Sequence, residues 1–466
     1  MKRRLAPQRF WALAVFCWAA AAAQAADELR LPPFQRHQLP NGLTLLLMEQ
    51  HELPIVSFNF VIRAGSIIDP VGKEGVASLT AGLLRQGTQS RSADQISAQL
   101  DFIGARFSVS AGLESTQGSA EFLRKDLTAG IGLLADILRH PSFPPDEVKK
   151  QIQQRIGGIQ SAKETPGAVM GRYYYSFLYG RHPYHRPVGG DEQSLAAIQR
   201  QDILYFYRLH YTPANLILAV AGDFDSREMK KVLEARFGSW TGGRPPRASA
   251  AKKPRVKGRR LLLVDKPDST QTFFAIGNIG VQRRHPDRVA LQVVNTLFGG
   301  RFTSMLNSRL RIESGLTYGA GSWFNDHLQP GPFRIYTYTP TETTEKAIDM
   351  ALDTLKELHE KGIDQEQLTS AQNYIKGQYP LSIETSSQLA RLLTELEFYG
   401  LNRSEVDDFY AQVDALTVER LGEVIHRHFP LHNLVFTVIG KADEIEGVVQ
   451  KYAEKVERKL ITEAGF

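Results

Sequence analysis

Few side chains in this sequence have chemistry to offer, and their spacing narrows them further. His182-x-x-His185 and His426-x-His428 have metal-ligand separations, yet neither pair has further ligands beside it, and no H-E-x-x-H occurs. Turn or solvated histidines are the plainer reading. Gly299-Gly300 lacks the other glycines and the lysine of a phosphate loop, and Ser78 has no histidine at a telling distance for serine hydrolysis. Arg311 and Tyr318 stand seven residues apart. A guanidinium and a phenol are both donors suited to an oxyanion, although the bare spacing equally fits a cation in the last turn of a helix and an aromatic opening a strand.

The elements that would position these groups alternate. Leu39-Pro-Asn-Gly-Leu43 sets an Asn-Gly turn before a strand over 43–48, and 55–64 alternates as a second strand. Residues 73–86 form a helix with Val76, Leu79, Leu83 and Leu84 on its apolar face, stopped by Gly87. A helix over 93–103 leads to strands over 106–110 and 115–122 around Gly112. Amphipathic helices then cover 127–139 and 147–162, with Pro141, Pro144 and Pro145 between them. A helix over 201–209, a strand over 216–221 and a helix over 226–237 close this half.

Residues 242–258 contain three prolines and no acid, which marks a semi-extended linker between domains at 29–241 and 259–455. Eight cations between Arg244 and Arg260 read as a solvated tether rather than a site for an acidic partner. The second domain repeats the first. Tyr211-x-Pro-x-Asn215-Leu216-x-x-x-Val220-x-Gly222 returns as Phe429-x-x-x-Asn433-Leu434-x-x-x-Val438-x-Gly440, and Ile198 and Ile203 return as Leu416 and Leu421 at the same offset.

At the N-terminus, Lys2, Arg3, Arg4 and Arg9 precede an apolar run to Ala23 and then Ala23-Gln-Ala25, the pattern of a secretory signal cleaved after Ala25. The run is short for a membrane span, so the mature chain is expected to be exported to the periplasm without membrane insertion. The one cysteine, Cys17, leaves with the signal, which excludes disulfides, thiolate metal sites and a thiol nucleophile. Removing the four leader cations from the formal +6 leaves +2, which is no footprint for nucleic acid.

In its flanks and spacing, Gly75-Val-Ala-Ser78-Leu-Thr-Ala81-Gly82-Leu-Leu-Arg-Gln-Gly-Thr88 resembles the zinc helix of the pitrilysin/insulinase (inverzincin) peptidases, where G-x-A-H-x-x-E-H runs into a leucine pair and Gly-Thr. Matched residue by residue, the two zinc-binding histidines fall on Ser78 and Gly82, and the general-base glutamate falls on Ala81. The family's third ligand is a glutamate in the helix that runs here over 147–162, yet 149–160 holds no acidic residue. Three protein ligands are needed for a catalytic zinc, and none stands in its place. The resemblance extends to His182-Pro-Tyr with Pro187 and Gly190, and to Tyr211-x-Pro-x-Asn-Leu.

The segment from Gly299-Gly300 through Ser304 and Arg311 to Gly315-Leu-Thr-Tyr318 resembles the family stretch in which a helix ends at Gly and a strand begins with Leu-x-Tyr. In active members an arginine and a tyrosine at this spacing reach across to the zinc, and they fall on Arg311 and Tyr318. The resemblance implies an α+β fold of two homologous domains, each an antiparallel-type sheet covered by helices, like mitochondrial processing peptidase. It also implies a role: a zinc-free subunit, inactive alone, that completes the site of a zinc-bearing family partner carrying H-x-x-E-H and acting on peptides. The competing expectation is an inert peptidase-like scaffold or peptide-binding protein.

Overall fold

The computed structural model describes residues 29–245 and 252–466. The leader and the centre of the linker lie outside the described residues. Two six-stranded sheets fall on either side of the linker. The first contains β1 (Gln35–Gln38), β2 (Thr44–Glu49), β3 (Ile55–Ile62), β4 (Arg106–Ala111), β5 (Thr116–Leu123) and β6 (Leu216–Gly222) in the order β1-β2-β6-β3-β5-β4. The second contains β7 (Arg260–Asp265), β8 (Gln271–Ile279), β9 (Gly321–Phe324), β10 (Pro332–Pro340), β11 (Val435–Gly440) and β12 (Lys455–Leu460) in the order β12-β7-β11-β8-β10-β9. Both sheets are mainly antiparallel. The exceptions are the pairing of β2 with β6, and those of β7 with β11 and β12.

The first half's helices are α1 (Val76–Leu83), α2 (Ala93–Phe102), α3 (Leu127–Arg139), α4 (Pro145–Lys163), α5 (Pro166–Tyr179), α6 (Glu192–Ala197), α7 (Arg200–His210) and α8 (Ser226–Phe237). The helix expected over 73–86 is shorter at both ends. Buried Asp69 accepts from the amides of Gly75 (2.7 Å) and Ala77 (2.9 Å), so the chain turns there with Gly75 at φ 102° before α1 begins. A side chain at Gly75 would also press within 2.9 Å of the Gly189 carbonyl, and one at Gly190 within 2.3 Å of the Glu74 carbonyl. Thus the Pro187–Gly190 turn buttresses the start of α1. No sequence expectation covered α5.

In the second half the principal helices are α9 (Arg288–Asn295), α10 (Thr344–Lys361), α11 (Gln365–Gln378), α12 (Ser386–Tyr399), α13 (Val418–His428) and α14 (Ala442–Val449). Each central strand is buried on both faces, and the two faces belong to different cores. Leu216, Leu218 and Val220 of β6 pack on the first half's own helices, whereas Ile217, Ala219 and Ala221 pack on Leu389, Leu393 and Leu396 of α12. The exchange is reciprocal. Val169, Met170, Tyr173 and Tyr174 of α5 cover Val435 and Ile439 of β11. Each crossing helix is also pinned by a polar bond: Tyr174 donates to the Phe333 carbonyl at 2.7 Å, and Thr394 to Asn59 Oδ1 at 2.7 Å. Among the described residues no helix is long and apolar enough to cross a membrane.

Candidate functional site

α1, packed between β4, α4 and α7, carries the three positions where metal chemistry would sit. Ala81 is fully buried in the core, and Ser78 and Gly82 face α4. There they meet Arg155. Its guanidinium donates from Nη1 to Ser78 Oγ at 2.6 Å and from Nη2 to the Ser78 carbonyl at 2.9 Å. A Cβ on Gly82 would lie 2.7 Å from Nη2, so glycine is what admits the guanidinium. Burial lowers the Arg155 pKa, and among the described residues no carboxylate offsets that desolvation. The expected loss of ligands is therefore joined by a fixed cation at the point where α1 and α4 meet.

Arg311 and Tyr318 lie in the other half. Helical residues Met305–Asn307 and Ser308–Glu313 place Arg311 over the exposed ring of Phe302, 4.7 Å from its centroid. The strand expected to open at Leu316 begins instead at Gly321, and Tyr318 occupies the preceding loop. Threonines of β10 hold that loop off the sheet. Thr337 donates to the Gly319 carbonyl at 2.9 Å, and Thr339 to the Leu316 carbonyl at 3.0 Å. Buried Asn307 braces both residues, donating to the Phe302 carbonyl at 2.6 Å and accepting from the Ala320 amide at 3.3 Å. Tyr318 is 80% exposed, and its hydroxyl has no partner among the described residues. The result is two donors on a braced frame, neither engaged by the first half.

The paired histidines do other work. His182 accepts from the Tyr184 amide at 3.2 Å and bonds Gln329 of the second half at 2.9 Å, while His185 is half-buried nearby with its pKa lowered chiefly by burial. His428 Nε2 bonds Asp287 at 2.7 Å, with His285 beside it. This His285–Asp287–His428 group has the donors of a metal site, but Arg420 and Arg427 also bond the Asp287 carboxylate. Burial raises the Asp287 pKa, and His428 and Arg420 more than offset this, holding it below the usual carboxylate range. A divalent ion would have to displace two guanidiniums, so the cluster reads as structural.

Residues 45–192 match the family model described as insulinase (peptidase family M16), and residues 197–375 match that of the peptidase M16 inactive domain. The chain belongs to the M16 peptidase family. A Rickettsia bellii protein described as an uncharacterized zinc protease is 27% identical over 75% of this chain and 84% of its own length. A Bacillus subtilis protein described in the same way is 24% identical over 85% of this chain and 95% of its own. The crystal structure of a peptidase M16 inactive domain from Pseudomonas fluorescens superposes with a TM-score of 0.82 at 26% identity, covering 88% of this chain and 98% of that one. A Helicobacter pylori protease has the same fold, with a TM-score of 0.82 at 22% identity over 88% of this chain and 100% of its own.

Within the M16 frame, Ser78, Gly82 and Arg155 lie in the insulinase match, and Arg311 and Tyr318 in the inactive-domain match. Sequence reasoning missed Arg155. The 149–160 segment drew attention for lacking acids, and the usable signal was the arginine standing among them opposite a serine and a glycine.

Proposed function

We propose that this chain is the zinc-free subunit of a two-chain M16 endopeptidase, donating Arg311 and Tyr318 to the metal site of a partner that carries H-x-x-E-H. The observation that carries this reading is the pairing of a filled metal position with a donor pair that the first half does not engage: Arg155 stands at Ser78 and Gly82, while Tyr318 is held out to solvent and Arg311 lies over the exposed ring of Phe302. In the assembled enzyme the partner's H-x-x-E-H would hold the zinc, which would supply an activated water. Arg311 and Tyr318 stabilise the negative charge that builds on the scissile carbonyl oxygen. The subunit is exported, cut after Ala25, and meets its partner and peptide substrate in the periplasm.

A second reading, an inert peptide-binding scaffold, is favoured by β4. Among the described residues it pairs only with β5, and its other edge there offers unpaired main-chain groups to an extended peptide. Coexpression with an H-x-x-E-H family member and assay on peptides decides between the two. Peptide hydrolysis that requires both chains supports the subunit, whereas unchanged activity of the partner alone supports the scaffold.

A further inference from the structure

The most deeply buried cations among the described residues are matched by acids. Arg283 is held by Glu395 and Glu405, Lys163 by Glu192 at 2.6 Å and Lys266 by Asp268 at 2.8 Å. Arg155 is the contrast: both of its bonds go to neutral oxygens of Ser78, and its Nε–H and outer Nη hydrogens have no partner among the described residues. The fork is fixed but not neutralised. Access to it is open as well, since Arg155 is only half-buried. An unpaired guanidinium with its plane already oriented is a receptor for a carboxylate, which accepts two parallel N–H bonds.

We infer that Arg155 turns the vacated metal position of the first half into a carboxylate-binding site, and that its ligand is the free C-terminal carboxylate of a peptide. The peptide component follows from β4, the edge strand packed against α1, which can pair with an extended chain while Arg155, on the other side of α1's contact with α4, takes its terminus. Peptide-bond hydrolysis supplies such termini, so the site takes the class of product that a peptidase releases. No bond is made or broken here. The guanidinium supplies no activated water, and Ala81 supplies no base.

The test uses the purified chain without any partner, so it stands or falls independently of the two-chain reading. A dye-labelled pool of random hexapeptides ending in a free carboxylate is titrated by anisotropy against the same pool ending in an amide. The carboxylate pool should bind roughly tenfold or more tightly, as expected for loss of a charge-assisted pair. Arg155→Gln should abolish that preference. Gly82→Ala should weaken it as well, because its methyl displaces Nη2, with folding checked by thermal melting. Equal binding of the two pools, no binding of either, or a preference that survives Arg155→Gln would overturn the proposal and leave Arg155 as a staple between α1 and α4.

Discussion

Arg155 Nη1 donates to Ser78 Oγ at 2.6 Å, which joins the helix that would carry two metal ligands to the helix that would carry the third. This contact sets the cost of rebuilding the metal site. Ser78→His, Ala81→Glu and Gly82→His together should bind no zinc, because only two ligands are restored and a guanidinium remains against them. Adding Arg155→Glu removes the cation and provides the third ligand. Elemental analysis after mild chelation should then find one zinc per chain only in the fourfold variant, and zinc in the threefold variant would contradict the argument.

The donor pair should act on turnover. Loss of one preorganised oxyanion donor costs about 2.7–4 kcal/mol, or two to three decades in kcat. Tyr318→Phe and Arg311→Ala should therefore remove most activity of the two-chain enzyme while assembly and zinc content stay constant. Arg311→Lys should rescue only in part, since it loses the planar fork. Near-normal kcat in both assembled variants would hand the case to the scaffold.

Acid should loosen the junction between the halves. His327 sits against Tyr175, Tyr184 and Glu114 of the first half, and burial pushes its pKa down to about 4. Below the unfolded value of about 6.5 the unfolded chain takes up the proton that the folded ring refuses. The stabilising contribution of neutral His327 is therefore complete above that value and is lost as pH falls through 4. Burial raises the Glu114 pKa, so that group works in the opposite direction, its contribution being lost as pH rises. Melting curves between pH 7 and 4 should show wild type losing stability relative to His327→Gln. Parallel curves would exclude His327 as the cause.

The exchanged helices predict a single unfolding transition. Residues 29–245 or 252–466 expressed alone would each leave an apolar sheet face uncovered and should aggregate. Leu393→Ala in α12 should cost about 2–5 kcal/mol and lower the whole transition, although the sheet face it covers lies in the other half. Two separate calorimetric peaks would refute the coupling.

N-terminal sequencing of the exported protein should read Ala26-Asp-Glu-Leu, because cleavage one residue later would place Gln24 where a small side chain is preferred. Recovery of Met1 in the membrane fraction would count against export by a cleaved signal.

Local rules made several features legible in the sequence. The helices at 127–139 and 226–237 follow from apolar periodicity, and the latter is capped by Asp225, which accepts from the Arg227 and Glu228 amides. The repeat could be read because Asn215 and Asn433 each stand just before a central strand. Missing ligands at Ser78, Ala81 and Gly82 needed only identity and spacing. Tertiary structure alone decided where α5 belongs. Its apolar and aromatic residues match a sheet more than eighty positions away in the chain, so no local pattern names the partner. It also decided that Tyr318 stands in a loop rather than a strand, because Thr337 and Thr339 of β10 capture the backbone on either side of it. Arg155 is the sharpest case. In sequence it is one cation on an amphipathic helix, and only the packing of α4 on α1, across the gap left by Gly82, puts its charge where a metal would be.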